Sequence, residues 1–141
     1  VIFLIQLRYI EFQANSGDIV NITEEVSQSL DESGVHSGLL TVFVSGATGA
    51  ITTVEYESGL IEDMKAALER WSPKDLLYVH NEKWHDGNGH SHIRAALIGP
   101  SLTIPFAEGQ LMLGTWQQIV FLEMDSRPRH RKIVIHIMGE I

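Results

Sequence analysis

Four of the chain's seven histidines, His80, His85, His90 and His92, fall within thirteen residues that read HNEKWHDGNGHSH. An even spread would place fewer than one there. Neutral imidazole is the commonest protein ligand for zinc and similar ions. Asp86 and Asn88 add oxygen donors, and Gly87 and Gly89 let the backbone fold back on itself. Core packing does not explain a polar, Gly-rich stretch of this kind, so metal or anion binding is the chemistry it suggests. The plain alternative is a surface loop that carries histidines. His90 and His92 face one way on an extended segment. On a helix they diverge by roughly 200°, so they form a ligand pair only if a helix begins after them.

Two further groups carry candidate chemistry. Arg127, Arg129 and Arg131 are basic residues in an acidic chain. Alternate spacing on a strand would line their guanidinium groups on one face, which suits phosphate. The rival reading is a set of inter-subunit ion pairs. The small-residue run from Ser45 to Ala50 can offer backbone N–H groups to an anion, or can be only a tight turn. His36, His130 and His136 read as surface or satisfied strand residues.

Length and composition bound what these groups can serve. A chain of 141 residues suits one domain, residues 1–141, with a sizeable core. It is 44% hydrophobic and 20% charged, as ordinary globular proteins are. A net charge of -8 argues against nucleic acid and against an anionic membrane as partners. The absence of cysteine excludes disulfides and thiolate metal sites. The opening VIFLIQ is apolar but too short to span a bilayer. A cytoplasmic location is the default expectation.

The elements that must position the candidates follow from periodicity. Residues 1–12 read as a strand, and a turn follows at Asn15-Ser16-Gly17-Asp18. Ile22, Val26 and Leu30 make one apolar stripe behind a Thr23 cap, which predicts a helix over 23–33 ending at Gly34. Gly38 to Val44, with the run LLTVFV, reads as a strand buried on both faces. Residues 51–56 are the next strand, and Leu60, Met64, Leu68 and Trp71 have helical spacing up to Ser72-Pro73. Leu76 to His80 reads as a strand that delivers the first histidine. Residues 93–98 favour a short helix ending at Gly99. Strands are expected at 101–106, over most of 111–124, and at 132–138, where Ile133, Ile135 and Ile137 alternate with Val134, His136 and Met138. Strands dominate, with two or three helices in no strict alternation, so the expected class is α+β.

Ser101-Leu102-Thr103-Ile104-Pro105, Gly109, Leu111 and above all Gly114-Thr115-Trp116-Gln117 stand in a specific register. Together with the DGN–HSH loop and Glu123, Arg127, Arg129 and Arg131, they resemble the YjbQ family, also called the secondary thiamine-phosphate synthase family. The resemblance covers nearly the whole chain. It implies an α+β fold with a largely antiparallel β-sandwich or barrel-like core and helices on one side. It also implies a homotrimer with sites near subunit boundaries. The associated activity joins a pyrimidine pyrophosphate to a thiazole phosphate.

The resemblance implies roles for single residues. His80 and His92 fall on family-matched positions and are the favoured ligands of a divalent metal, zinc or magnesium, with His90 as the third candidate. His85 matches a position that is often acidic and is the weakest. Glu55 matches an acidic position and can serve as general base, metal partner or acceptor for an imidazole N–H. Thr115 and Gln117 carry hydrogen-bonding groups that can orient a phosphate or a base edge, although a Trp beside a Gly in a strand is more often core. Arg127, Arg129 and Arg131 would hold phosphate. Asp63 also matches but lies in a helical stretch. The chain departs from the pattern at Gly46-Ala47-Thr48, where many members carry His-Thr-Thr or His-Thr-Ser. If position 46 is catalytic, the loss of that imidazole should lower thiamine-phosphate synthesis by about 10²–10⁴-fold. Two functions stand open at this point. One is a metal-assisted transferase acting on a small phosphorylated metabolite. The other is a non-catalytic trimer that binds a metal or metabolite.

Overall fold

A computed structural model describes residues 2–141. Val1, which the first expected strand included, lies outside the described residues. The elements follow as β1 (Phe3–Ala14), β2 (Ile19–Asn21), α1 (Thr23–Ser33), β3 (Ser37–Val44), β4 (Gly49–Val54), α2 (Ser58–Trp71), α3 (Val79–Trp84), α4 (Gly89–Ile98), β5 (Ser101–Ala107), β6 (Gln110–Leu111), β7 (Gln118–Glu123) and β8 (Arg129–Glu140). Every strand pairing is antiparallel. A five-stranded sheet has the order β1-β8-β3-β5-β6, and a three-stranded sheet the order β2-β7-β4. The α+β class with an antiparallel core is as expected.

Three layers result. Ile133, Ile135 and Ile137 on β8 and Leu40, Val42 and Val44 on β3 point inward, against α1 and against Ile119 and Phe121 on β7. The opposite face of β7 turns Val120 and Leu122 toward Leu68 of α2 and Ala95 of α4. The short sheet is therefore buried on both sides, as the unbroken apolar run Ile119-Val120-Phe121-Leu122 of β7 requires. The expected helix over 23–33 is present, and Gly34 closes it in the left-handed region at φ 69°. Thr23 is its first residue rather than its cap. Its hydroxyl instead accepts from the Ile119 N–H at 2.8 Å and ties the helix start to β7.

Four expectations need correction. The strand expected at Leu76 to His80 is the approach to α3 and its first two residues, so the described residues hold four helices where two or three were expected. Leu77 there is 94% exposed, and its apolar character reflects no buried face. The long strand expected over 111–124 is two short ones, joined by a loop that contains Trp116. LLTVFV is buried on one face only: Leu40, Val42 and Val44 face the core, whereas Leu39 and Phe43 are open. Helix α4 begins at Gly89, before His90 and His92.

Two contacts fix how the strands meet. Gly38 of β3 and Gly139 of β8 are direct partners, and their backbones approach closely. A Cβ on Gly38 would lie 2.0 Å from the Met138 carbonyl oxygen, and one on Gly139 would lie 2.0 Å from that of Ser37. The second contact joins the two sheets. Arg131 of β8 grips Glu123 of β7 in a two-pronged ion pair, with Nε to Oε1 at 2.7 Å and Nη2 to Oε2. Both side chains are fully buried. Removing one partner leaves the other charge unpaired in the core, a loss of about 3–5 kcal/mol. Arg131→Met should therefore destabilise by that amount in urea titration. Pairing it with Glu123→Met should recover more than half of the loss.

Candidate functional site

The histidine stretch forms α3, a four-residue turn and the first turn of α4. His85 caps α3 in the left-handed region at φ 57°, which is its local task. The next turn then brings His92 back over His80, with ring centres 4.5 Å apart. His80 Nδ1 is buried without a hydrogen-bond partner and lies 3.6 Å from Asp86 Oδ1. That separation is too long for a hydrogen bond.

Asn88 joins this group to the core. Its amide nitrogen is 3.3 Å from Asp125 Oδ1. With the amide turned the other way, it would donate to the two oxygens of Asp86 at 2.8 and 3.1 Å. One amide has one NH2 end, so Asn88 cannot donate to both carboxylates at once. Whichever way it faces, its oxygen is set against a carboxylate.

Asp125 is buried and anchors a wider network. It accepts from the Thr48 hydroxyl at 3.0 Å and the Ser126 N–H at 2.8 Å, and Arg129 Nε stands 3.3 Å away. Burial alone would raise its carboxyl pKa. The hydrogen bonds from Ser126, Asn88 and Thr48, with the Arg129 charge, hold it below the usual 3.8. Thr48 also accepts from Arg131 Nη2 at 2.9 Å, which links the network to the Glu123 ion pair. Sequence reading did not find Asp125 or Thr48 as site-supporting residues. The only signal was two acidic residues, Glu123 and Asp125, ending a strand that is otherwise apolar.

The structure sorts the remaining candidates. His90 is buried beside Tyr78, their ring centres 6.5 Å apart, and because α4 begins at Gly89 it does not pair with His92. The three arginines do not share a face. Arg127 is exposed in the turn before β8, Arg129 is paired with Asp125, and Arg131 is committed to Glu123. The pairings of Arg129 and Arg131 are within the chain. Gln117 closes its own turn by accepting from the Gly114 N–H at 3.0 Å and ties it to Thr53 at 3.1 Å. Thr115 is exposed beside it, and Glu55 is exposed just past β4.

β4 and β7 pair from Gly49↔Glu123 at one end to Val54↔Gln118 at the other. The histidine group sits at the first end, where His92 and Gly46, Ala47 and Gly49 line one groove. Glu55, Thr115 and Gln117 sit at the other. Five strand steps separate the ends, about 17 Å. Within one chain these are two places. Gly46 itself has φ 148°, and a Cβ there would stand 2.9 Å from Arg131 Nη1. The guanidinium thus occupies the room next to position 46.

Among the described residues, no three His, Asp or Glu side chains converge on one point as a finished metal centre. Two imidazoles on one tetrahedral ion place their ring centres roughly 5 Å apart, and two such ligand atoms lie about 3.3 Å from each other. The ring spacing of 4.5 Å and the His80–Asp86 spacing of 3.6 Å lie near those values. No helix among the described residues is long and apolar enough to cross a membrane.

Comparison with known proteins agrees with this architecture. The family model described as "UPF0047 protein YjbQ-like" matches residues 8–140. A UPF0047 protein of Methanothermobacter thermautotrophicus is 42% identical over 123 residues, covering 87% of this chain and 84% of that relative. The crystal structure of a YbjQ-like protein from Sulfolobus solfataricus P2 superposes with a TM-score of 0.88 at 31% identity, over 97% of this chain and 100% of that one. A yjbq/upf0047 family protein from Clostridium acetobutylicum gives 0.77 at 36% identity, over 94% and 99%.

His90 yields a pH prediction. Burial is the main cause that holds its imidazole below the usual 6.5, and the Arg94 and Lys74 charges add to it. The unfolded chain therefore takes up a proton near pH 6.5 before the folded one does. This contribution to stability is complete above that pH and is lost as pH falls below it. The Asp125 contribution has the opposite origin and is lost only below about 3.8, where the unfolded carboxylate protonates. Melting temperatures from pH 7.5 to 5.5 should fall in the natural protein and fall less in His90→Gln. The loss below pH 4 should persist in both.

Proposed function

We propose that this chain, which belongs to the YjbQ-like UPF0047 family, binds a divalent cation between α3 and α4 and uses it on a small phosphorylated metabolite. The observation that carries the reading is the buried, unpartnered His80 Nδ1, set beside Asp86 and beneath the His92 ring. His80, His92 and Asp86 would hold the ion. Of zinc and magnesium, the two imidazoles favour zinc, because magnesium prefers an all-oxygen shell. The resemblance of the GTWQ and DGN–HSH motifs to the YjbQ family supports a thiamine-phosphate synthase-like transfer in a homotrimer.

The bound ion would supply positive charge for a departing pyrophosphate, the main electrostatic task of such a transfer. The chain's own residues do the rest. With its amide turned toward the loop, Asn88 would donate to both oxygens of Asp86 and keep that carboxylate beside His80. The groove lined by Gly46, Ala47 and Gly49 beside His92 leaves open space of about 430 Å³ for a substrate. Arg129 is half-exposed and can exchange its Asp125 contact for a phosphate, whereas Arg131 cannot without breaking the core ion pair. Phosphate therefore falls to Arg127 and Arg129.

Elemental analysis of protein equilibrated with zinc and then desalted should show bound metal. The double variant His80→Ala, His92→Ala should show none, with a melting curve close to that of the metal-free parent. Unchanged metal content in that variant would remove the reading. Steady turnover of pyrimidine pyrophosphate with thiazole phosphate, tracking metal content, would establish the transfer. Metal binding without turnover would leave a metal-binding protein.

A further inference from the structure

A second cavity lies between α2, α4 and the end of the short sheet. Its volume is about 250 Å³, below the range of about 300–1,000 Å³ that suits drug-sized ligands. A ligand of that size is a small metabolite. Arg94 lines this cavity, whereas His92 and Ala96 line the groove beside the histidines. Two residues along a helix turn a side chain by roughly 200°. The two openings therefore lie on opposite sides of α4 and are separate places.

The lining divides by chemistry. Leu68 of α2, Leu122 of β7 and Met124 just past it supply an apolar wall, and all three are buried. The main chain beside them is already committed. The Gly17 N–H donates to the Glu123 carbonyl at 3.1 Å, and the Glu123 N–H donates to the Asp18 carbonyl at 2.8 Å. Orienting a ligand thus falls to four charged side chains, Asp18, Lys65, Glu69 and Arg94. Two of these neutralise each other: Arg94 donates to Glu69 at 2.6 Å and to the Ser72 carbonyl at 2.9 Å. Asp18 and Lys65 remain. The Asp18 carboxylate accepts from the Asn15 N–H at 2.8 Å. Among the described residues, neither Asp18 nor Lys65 enters an ion pair.

We infer that this cavity binds a small apolar α-amino acid, of the size of leucine. Lys65 meets its carboxylate, Asp18 meets its ammonium group, and its side chain lies against Leu68, Leu122 and Met124. The unmatched pair of charges selects for this class. A ligand with only a negative end brings its charge against the Asp18 carboxylate, and one with only a positive end brings it against Lys65. A ligand with both ends satisfies both residues through charge-assisted hydrogen bonds. The apolar wall adds the preference for a hydrocarbon side chain. None of these residues is assigned to the cation or to phosphate, so the site stands independently of that reading.

Amide NMR titration of the metal-free protein tests the site. The probes are L-leucine and its two halves, isocaproate (no ammonium group) and isopentylamine (no carboxylate). L-Leucine should bind with a Kd of about 1 mM or tighter, and its shift changes should centre on Asp18, Leu68 and Met124. Each half should bind about tenfold more weakly, for want of one charged hydrogen bond. Lys65→Met and Asp18→Asn should each weaken L-leucine by about the same factor. Lys65 is exposed, and asparagine at position 18 keeps an oxygen for the Asn15 N–H, so both variants should retain the natural far-ultraviolet spectrum. Absence of L-leucine binding at about 10 mM overturns the site. Shift changes centred on the histidine groove, or an affinity unchanged in both variants, place the ligand elsewhere and overturn it as well. Isocaproate or isopentylamine binding as tightly as L-leucine overturns the assignment to an amino acid.

Discussion

The Arg131–Glu123 ion pair is the constraint on which the rest of the molecule depends. It lies between the two sheets, where neither charge reaches water, and so each must stay matched to the other. Its demands radiate outward. Thr48 shares a hydrogen bond with the guanidinium, and this sets the turn that leaves β3. Glu123 accepts from the Asp125 N–H at 3.1 Å, which fixes Asp125 where it can receive Asn88. The guanidinium also crowds Gly46, and Phe121 crowds Gly49. The small residues of that turn are therefore explained first by what lies beneath them. A buried ion pair adds little net stability over apolar packing, but it tolerates few alternative arrangements.

Much of this was legible in the sequence wherever one face of an element meets the core and the other meets solvent. The stripe Ile22, Val26, Leu30 and the alternation around Ile133, Ile135 and Ile137 are direct imprints of that asymmetry. The failures share a cause. Leu76, Leu77, Val79, Met112 and Trp116 are apolar without being buried in the single chain, so a short apolar run there gave no periodic signal to separate strand from loop. LLTVFV misled for the same reason, since its outward residues look like core while facing open space. The histidine cluster was visible as composition, yet its geometry turns on where α4 starts. Gly89 allows the start to fall before His90, because Tyr78 packs where its side chain would be. The arginine alternation was visible too, but the partner that claims Arg131 comes from another strand and leaves no local trace.

The short sheet imposes a separation that no linear reading reveals. β4 and β7 are straight, paired spacers with the histidine group at one end and the GTWQ turn at the other. The Gln117 amide is spent on its own turn and on Thr53. That motif is thus explained by a demand on backbone geometry at the entrance to the most buried strand of the protein.

The facing glycines of β3 and β8 carry a consequence for how the chain finds its fold. Alternation of apolar and polar residues rejects a strand slipped by one position, because every side chain would change face. It does not reject a slip of two, after which inward residues still point inward. Gly38 and Gly139 do reject it. Their backbones meet at a distance where no Cβ fits, and a two-residue slip sets each glycine against a residue that has one. The pair therefore acts as a key for alignment. Of the pairings that hydrophobic collapse alone would accept, it admits the one from which Arg131 reaches Glu123.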